Sequence, residues 1–591
     1  MAPNRNVALQ PVRRIRVWYG LIILILAIFG LRLFYLQVIR YDHYKTAALS
    51  DQLKQYELPA QRGIITAYDG ESSVPIVLNQ TLYTVYADPV FIKHADKVAG
   101  VLADTLGGSP SDYAEKITRK GSRYVILAKK VSKAAKTALL KHELAGIGAQ
   151  QQSYRVYPQG ALASQLLGFV NSEGVGTYGI EQALDSSLKG TPGRLKAITD
   201  VHGIPLATNQ HNISVPARSG EKVQLTIDLG MQKQMENILA QEYKKTKSKG
   251  LSAVIMDPYT GKVKAMANYP TYNPADTSKV KDIKVFQNNA VSRPIEPGSS
   301  MKPLTAAAAL NEGAITPTTS YFDHAKVTLN GYTITNIEED GGARQQNVQS
   351  VLSLSLNTGA TWFLMRLGGS NDSLNMGAIN KWHNYMTNHF RFSKATDIEQ
   401  GYESPGYVPP TKNVSAIQLT YANTAFGQGV QVTALQMAGA YSSMLNGGTY
   451  YQPTLVQSTT DADGKTQQHA QKILRKNVVS SKVSREMVPL LQGVVEHYHS
   501  LGYSYLKFPS GYIVGGKTGS AQVASAGGGY REKLDNGTYA GFVGGNKPQY
   551  IVVVYNLQPD VAGYAGSMGG QPVFADLVHM LIDNGYVSSK H

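Results

Sequence analysis

The chain has 591 residues, a formal net charge of +16 and no cysteine, which allows two or three domains with a large core but excludes disulfides and thiolate metal sites. Its thirteen histidines show no metal-ligand spacing, so we predict neither a metal site nor a cofactor. No basic stripe is interleaved with stacking aromatic residues, so the charge favours contact with anionic surfaces such as lipid and argues against nucleic acid.

The first predicted element is a membrane-spanning helix over residues 17–39. Val17–Leu31 is an unbroken apolar run that continues after Arg32, and about 20 such residues cross a bilayer. The residues before it include four arginines and no acidic residue: Arg5, Arg13, Arg14 and Arg16. The positive-inside rule therefore predicts that residues 1–16 are a basic cytoplasmic tail and that the rest lies outside. The alternative is a cleaved signal peptide, but the run is too long and no small-x-small cleavage site follows it.

Residues 40–220 mix short strands and helices, with one amphipathic helix predicted over Val131–Leu144. Turn-forming residues cluster at Gly190–Gly193 and Pro216–Gly220. We therefore predict a domain boundary near 220, with a 40–220 domain before it.

Residues 221–591 are predicted to form an α+β domain, because strands from both of its ends enclose a helical middle. Strands are predicted over Val223–Ile227, Leu251–Met256, Lys262–Ala267, Tyr512–Val514, Ala540–Val543 and Tyr550–Tyr555. Helices are predicted over Met231–Tyr243, Pro303–Leu310, Ala360–Leu367, Val432–Leu445 and Pro572–Ile582. Gly-Gly pairs end the third and fourth helices, which is a common stop signal.

The first chemically informative motif in this domain is Ser299-Ser300-Met301-Lys302. Pro303 is tolerated only in the first turn of a helix, so the helix must begin near Ser299. Residues three apart share a helical face, which lets the Ser299 hydroxyl meet the Lys302 amine. A lysine accepts a proton only when it is neutral, and burial and a second cation such as Lys517 favour that form. A Ser-x-x-Lys match alone is common by chance.

Two further motifs follow, Ser355-Leu356-Asn357 and Lys517-Thr518-Gly519-Ser520. The first is predicted to form a turn that directs Ser355 and Asn357 into a cleft. The second has two interpretations. With Gly511 it spells the P-loop pattern, which requires a strand leading into a helix, whereas the residues after it are helix-poor. We favour an edge strand whose lysine and hydroxyl groups bind a substrate carboxylate and whose glycines admit a peptide.

In this order the three motifs resemble those of a penicillin-binding transpeptidase. Other stretches look like class B members of that family: Arg62–Ile65, Arg155–Pro158, Gly179–Glu181, Asp257–Gly261, Pro270–Pro274 and Phe426–Gly429. The likeness covers most of residues 17–585. It implies an elongated dimerisation-type pedestal over 40–220 and a transpeptidase domain over 221–591, with an antiparallel sheet flanked by helices as in serine β-lactamases.

The resemblance implies a monofunctional peptidoglycan D,D-transpeptidase. Ser299 would attack the D-Ala-D-Ala bond of a stem peptide, with Lys302 as the base and with assistance from Ser355 and Asn357. An amine from a neighbouring stem would then resolve the acyl-enzyme. β-Lactams would mimic the substrate and acylate Ser299.

The substrate-binding group implied by the resemblance is Lys517, Thr518, Gly519 and Ser520. The backbone N–H groups of Ser299 and Ser520 would form the oxyanion hole. The family further implies a single-pass protein of the bacterial plasma membrane, with its N-terminus in the cytoplasm and its catalytic domain outside. Its expected partners are a polytopic membrane glycosyltransferase and proteins of the division or elongation machinery.

Two other functions use the same residues. In a D,D-carboxypeptidase or β-lactamase, water resolves the acyl-enzyme, although the anchor, the pedestal and the size argue against a β-lactamase. A non-catalytic β-lactam receptor or wall-binding scaffold would be expected to lack at least one signature residue, and none is missing.

Overall fold

The computed structural model describes residues 10–45, 53–198, 213–336, 342–524 and 529–590. Residues 1–9 with Arg5 of the predicted tail, 46–52 and 199–212 of the predicted pedestal, and 525–528 after the third motif lie outside the described residues. The chain divides into two units, one made of residues 1–60 and 190–218 and the other of residues 61–189 and 219–591.

The first unit contains the predicted membrane span. A helix over Gln10–Phe34 continues into a π-helical turn over Tyr35–Ile39. The segment Ile15–Ile39 is long and apolar enough to cross a bilayer, and none of it is buried within the protein. The same unit has a three-stranded antiparallel sheet of Leu53–Leu58, Gly193–Ile198 and Ile213–Val215.

The second unit begins with a sheet of seven strands. Its strands are Ile65–Asp69, Ser72–Ala87, Val125–Val131, Ile147–Val156, Lys222–Asp228, Val456–Thr460 and Thr466–Gln468. Helices Ala95–Leu106, Pro110–Ile117 and Lys133–Leu140 pack beside it. The helix predicted from Val131 is shorter than expected, because Val131 ends a strand and the Ser132 side chain caps the helix by accepting from the Ala135 N–H.

A buried cluster of charges lies at one end of this sheet. Glu181 is fully buried, and its carboxylate accepts from Arg62 at 2.7 Å and from Arg155 at 2.7 Å. Arg62 also contacts Asp185 at 2.6 Å. Two guanidinium groups therefore share the buried carboxylate of Glu181, and Arg62 has Asp185 as a second partner.

We expect Glu181→Gln to lower the free energy of unfolding by about 3–5 kcal/mol, because removing one member of a buried ion pair leaves an uncompensated charge. Urea denaturation of the purified full chain measures this change. The matched control is Glu486→Gln, which removes a surface pair with Lys482 at 3.9 Å and should change stability by less than about 0.5 kcal/mol. Equal stability of the two variants would contradict the prediction.

The remainder of the second unit is organised around an antiparallel sheet of five strands. In spatial order they are Val263–Tyr269, Gly250–Met256, Pro548–Leu557, Tyr530–Gly544 and Ile513–Ala524. We refer to Ile513–Ala524 as the edge strand, because it has one neighbour only in this sheet. The prediction of an α+β fold is confirmed, and the predicted strands at 512 and 540 are longer than expected.

Helices cover both faces of this sheet. One face packs against Leu229–Thr246 and Gln571–Asp583, and the other against Lys302–Asn311 and Ala434–Leu445. Further helices are Val348–Ser353, Asn357–Leu367, Met376–Asn384, Ile417–Ala425 and Ser481–Ser500. Every residue of Gly250–Met256 is buried as a result, which explains why the strand has no polar side chain except Ser252, whose hydroxyl donates to Asn268 Oδ1 at 2.8 Å.

Candidate active site

Ser299 lies in a tight turn that leads into a buried helix. Residues Gly298–Met301 form a 3₁₀ turn, which we call the serine turn. The helix Lys302–Asn311 follows with Pro303 in its first turn, as predicted. Gly298 has φ of 57°, and a Cβ there would lie 2.6 Å from the carbonyl oxygen of Ser520. Only glycine therefore permits this turn to approach the edge strand so closely.

The ammonium group of Lys302 joins the first motif to the second. Lys302 is fully buried, and its Nζ donates to the carbonyl oxygen of Ser355, to Ser355 Oγ at 3.2 Å and to Asn357 Oδ1 at 2.9 Å. Ser355 adopts φ of 60°, a left-handed conformation that is uncommon for a residue with a side chain. This conformation lets one turn present both its carbonyl and its hydroxyl to the lysine.

Asn357 is held from two directions. Its Oδ1 accepts from Lys302, and its Nδ2 donates to the carbonyl oxygen of Thr335 at 3.1 Å. The residue also begins the helix Asn357–Leu367, which fixes its backbone. The protein itself therefore fixes the orientation of the Asn357 amide, without a bound ligand.

The third motif lies in the middle of the edge strand. Lys517 is fully buried, with its Nζ 3.2 Å from Thr518 Oγ1. The strand continues through Ser520 to Ala524, so the P-loop interpretation, which needs a helix directly after the lysine, is wrong. Ser520 Oγ accepts from the Gly566 N–H at 2.8 Å.

Gly519 brings the edge strand against the serine turn. A Cβ at this position would lie 2.2 Å from the carbonyl oxygen of Pro297 and 3.0 Å from the Ser300 nitrogen. Thr538, on the adjacent strand, donates to the same Pro297 oxygen at 2.7 Å. These contacts bring residues 517–520 and 297–300 together although more than two hundred positions separate them.

We expect Gly519→Ala to slow acylation by a β-lactam about a hundredfold, because the strand must move by about 1 Å to admit the methyl group and such a displacement misaligns the reacting groups. Stopped-flow acylation kinetics measure the effect. Gly100→Ala is the matched control, since a Cβ on Gly100 meets nothing within 4 Å and the residue lies in the helix Ala95–Leu106. An unchanged rate in Gly519→Ala would contradict the prediction.

The three motifs border one cavity of about 280 Å³. Its lining includes five predicted site residues: Ser299, Ser355, Asn357, Thr518 and Ser520. Lys302 and Lys517 are buried and reach the lining through their hydrogen bonds to Ser355, Asn357 and Thr518. Gly519 contacts the serine turn instead of lining the cavity.

Sequence reasoning missed seven further lining residues: Phe426, Gln428, Tyr498, Gln522, Asp535, Tyr564 and Ser567. Strand alternation from Thr518 and Ser520 could have indicated Gln522. Phe426 and Gln428 belong to a stretch that carried the family resemblance, but no role followed from it. Asp535, Tyr498, Tyr564 and Ser567 belong to no motif.

Burial and charge shape the electrostatics around the cavity. Burial raises the pKa of the Asp535 carboxyl above its ordinary value. Burial, together with the charge of Lys517, lowers the pKa of His497. Within the described ranges, no group of three or more His, Cys, Asp or Glu side chains could hold a metal ion.

A half-buried serine three residues before a buried lysine, a polar turn that holds this lysine and an edge strand with a second lysine define an acyl-transfer site of the serine type. Two family models match the chain, the penicillin-binding protein dimerisation domain over residues 57–225 and the penicillin-binding protein transpeptidase domain over residues 251–579. The second spans more than half of the chain, which therefore belongs to the penicillin-binding protein transpeptidase family.

Relatives from several bacteria match over most of their length. Stage V sporulation protein D of Bacillus subtilis is 28% identical over 94% of this chain and 83% of its own. The peptidoglycan D,D-transpeptidase FtsI of Escherichia coli is 26% identical over 95% of this chain and 90% of its own.

Solved structures share the fold. Penicillin-binding protein 2X of Streptococcus thermophilus has a TM-score of 0.72 at 24% identity and covers 90% of this chain and 80% of its own. Penicillin-binding protein 3 of Mycobacterium tuberculosis, complexed with aztreonam, has a TM-score of 0.68 at 24% identity and covers 91% of this chain and 98% of its own.

The predictions of a class B penicillin-binding protein and of a transpeptidase enzyme are confirmed by these matches. The hydrolase and scaffold alternatives are not favoured. The apolar N-terminal helix and the FtsI-like relatives fit a membrane-anchored protein.

Proposed function

We propose that the protein cross-links peptidoglycan by D,D-transpeptidation through an acyl-enzyme on Ser299, and that β-lactams acylate the same serine. The observation that carries the proposal is the convergence of three sequence-distant motifs on one cavity. The name of the Escherichia coli relative, a peptidoglycan D,D-transpeptidase, supports the substrate class. The complex of the Mycobacterium tuberculosis protein with aztreonam, a β-lactam, supports the inhibitor class.

In the acylation step, neutral Lys302 takes the proton of Ser299 as the hydroxyl oxygen attacks the carbonyl between the two D-alanines. The bond from that carbonyl to the terminal amine breaks, and the proton reaches the departing D-alanine through Lys302 and Ser355. The contact from Lys302 Nζ to Ser355 Oγ at 3.2 Å supports this relay. Asn357, held by Lys302 and Thr335, binds an amide group of the donor.

The edge strand binds the donor peptide as an additional strand. No other strand of the described residues pairs with its outer edge, and peptides add to such edges through main-chain hydrogen bonds. Lys517 and Thr518 bind the terminal carboxylate, since they supply a positive charge and a hydroxyl donor. Gly519 keeps the strand against the serine turn, and Ser520 lies beside the reacting carbonyl.

The backbone N–H groups of Ser299 and Ser520 form the oxyanion hole. Their proximity supports this role, since a Cβ on Gly298 would lie 3.0 Å from the Ser520 nitrogen. The N-terminus of the helix Lys302–Asn311 adds a partial positive charge near the same point. In the second step an amine of a neighbouring stem attacks the ester carbonyl, the ester bond to Ser299 breaks, and the amine proton returns to the serine oxygen.

We further propose that the protein is a single-pass protein of the bacterial plasma membrane, with a cytoplasmic tail over 1–16, an anchor over 17–39, a pedestal over 40–220 and an external transpeptidase domain over 221–591. The arginines before the apolar helix support this orientation. A polytopic membrane glycosyltransferase and division or elongation proteins are the proposed partners, because a transpeptidase needs newly made glycan strands.

The experiment that tests this function supplies the detergent-solubilised full chain with uncrosslinked glycan strands and analyses the muropeptides by mass spectrometry. We expect cross-linked dimers together with release of D-alanine. Release of D-alanine without cross-links would instead indicate a carboxypeptidase. Rapid turnover of penicillin would indicate a β-lactamase, and the absence of any product would contradict an enzymatic role.

A further inference from the structure

Asp535 is the one residue with a formal charge among the described residues that line the cavity. It is half-buried on the strand Tyr530–Gly544, next to the edge strand. Two buried lysines belong to the site without lining the cavity, Lys302 and Lys517. The site therefore has lysine amines near the serine and the carboxylate-binding residues, and a carboxyl group elsewhere on the cavity wall.

The register of the sheet places Asp535 at a defined point along the edge strand. Its Cα is paired with that of Gln522, and cross-strand partners direct their side chains to the same face. Thr518, Ser520 and Gln522 alternate along that face, and all three line the cavity. Asp535 thus lies level with Gln522, which is two residues beyond Ser520 on the side away from Thr518.

The surroundings of Asp535 leave its carboxylate available for a ligand. No hydrogen bond or ion pair engages it within the ranges that the structure describes. Burial raises the pKa of this carboxyl, as expected when a carboxylate loses water without gaining a partner. A cation bound here would restore the lost stabilisation of the charged form.

The direction of the donor peptide follows from the proposed function, on which this inference rests. Its terminal carboxylate lies at Thr518 and its reacting carbonyl at Ser520, so the preceding residue lies farther along the strand. A strand advances about 3.3 Å per residue, so Gln522 and Asp535 lie about 6.6 Å beyond Ser520 along the strand. The preceding residue and its side chain together can span that distance. The residue in question is the one immediately before D-Ala-D-Ala.

We propose that Asp535 determines specificity for the donor stem by binding a cationic amine on the side chain of the residue that precedes D-Ala-D-Ala. The donor class is therefore a stem peptide with a free, positively charged amine at this position. A neutral or acidic side chain loses the ion pair, and an acidic one also meets repulsion from the carboxylate.

The test uses a matched pair of thioester donors and the detergent-solubilised full chain. Both donors are Nα-acetyl-lysyl-D-alanyl-D-thiolactate, with the lysine side-chain amine free in one and acetylated in the other. Thiol release gives kcat/KM for each. We expect the free-amine donor to react about tenfold faster, as charged hydrogen bonds of ordinary strength allow.

Asp535→Asn should reduce this ratio to near one, mainly by slowing the free-amine donor, and Asp535→Glu should restore part of it. The matched control is Asp560→Asn, since Asp560 is exposed, pairs with Lys247 at 3.8 Å and does not line the cavity. Its ratio should equal that of the unmodified protein.

Two outcomes would overturn the inference: equal rates for both donors in the unmodified protein, or an equal loss for both donors in Asp535→Asn. The second would indicate a structural role only. Failure of both donors, together with failure of a fluorescent penicillin to label the protein, would instead contradict the proposed function and the inference with it.

Discussion

Ser299→Ala should abolish covalent labelling by a fluorescent penicillin. The hydroxyl is the atom that bonds to the carbonyl carbon, and removal of the nucleophile from a serine acyl-transfer enzyme lowers the rate by about a million-fold. Neither Lys302 nor the neighbouring Ser300 can replace it, because both side chains are fully buried and Ser300 Oγ donates to the Pro297 oxygen at 2.7 Å. Gel fluorescence measures labelling, and mass spectrometry of the digested protein locates the adduct.

The control for this experiment is Ser278→Ala. Ser278 is exposed, and its hydroxyl donates a hydrogen bond to Asp276 Oδ1 at 2.7 Å. It does not line the cavity. It should label like the unmodified protein, and the two variants should have the same melting temperature. An adduct on another residue, or undiminished labelling of Ser299→Ala, would contradict the assignment of the nucleophile.

Much of the local structure could be predicted because local signals and tertiary contacts agree. The helix predicted over Met231–Tyr243 is observed over Leu229–Thr246, and Asp228 caps it by accepting from the Met231 N–H. The Gly-Gly pairs after Leu367 and Leu445 do mark helix ends. In each case the residues next to a helix terminus specify where the helix begins or ends.

The edge strand shows where such local signals are insufficient. Strand propensity predicts Tyr512–Val514 and omits the rest of the observed strand Ile513–Ala524, of which Lys517–Ser520 is predicted as an edge strand only from its chemistry. The omitted part contains three glycines, which have poor strand propensity. Its conformation depends on pairing with Tyr530–Gly544 and on the contact of Gly519 with Pro297, which a local pattern cannot reveal.

The walls of the cavity were less predictable than the reactive groups. Ser299, Lys302 and Lys517 belong to motifs with chemically restrictive spacing. Tyr498 and Asp535 come from other elements, and each enters the cavity through tertiary packing. Chemistry that requires particular residue types is therefore visible in the sequence, whereas substrate selection by the surrounding wall requires the fold.

Lys302→Met should slow β-lactam acylation by about 10²–10⁴-fold, the range that general base catalysis contributes. Methionine has a similar length and no proton-accepting amine. Its thioether cannot donate to the Ser355 carbonyl oxygen or to Asn357 Oδ1, so the substitution also removes what orients these two residues. Stopped-flow measurement of acylation by a chromogenic cephalosporin gives the rate.

Loss of the base can be separated from loss of structure in two ways. Lys381→Met removes an exposed pair with Glu312 at 3.2 Å and should leave the acylation rate unchanged. The pH profile provides the second test, since a lysine that must be neutral makes acylation faster as the pH rises, and Lys302→Met should lack that rise. A folded Lys302→Met protein that reacts within threefold of the unmodified rate would remove lysine from the mechanism.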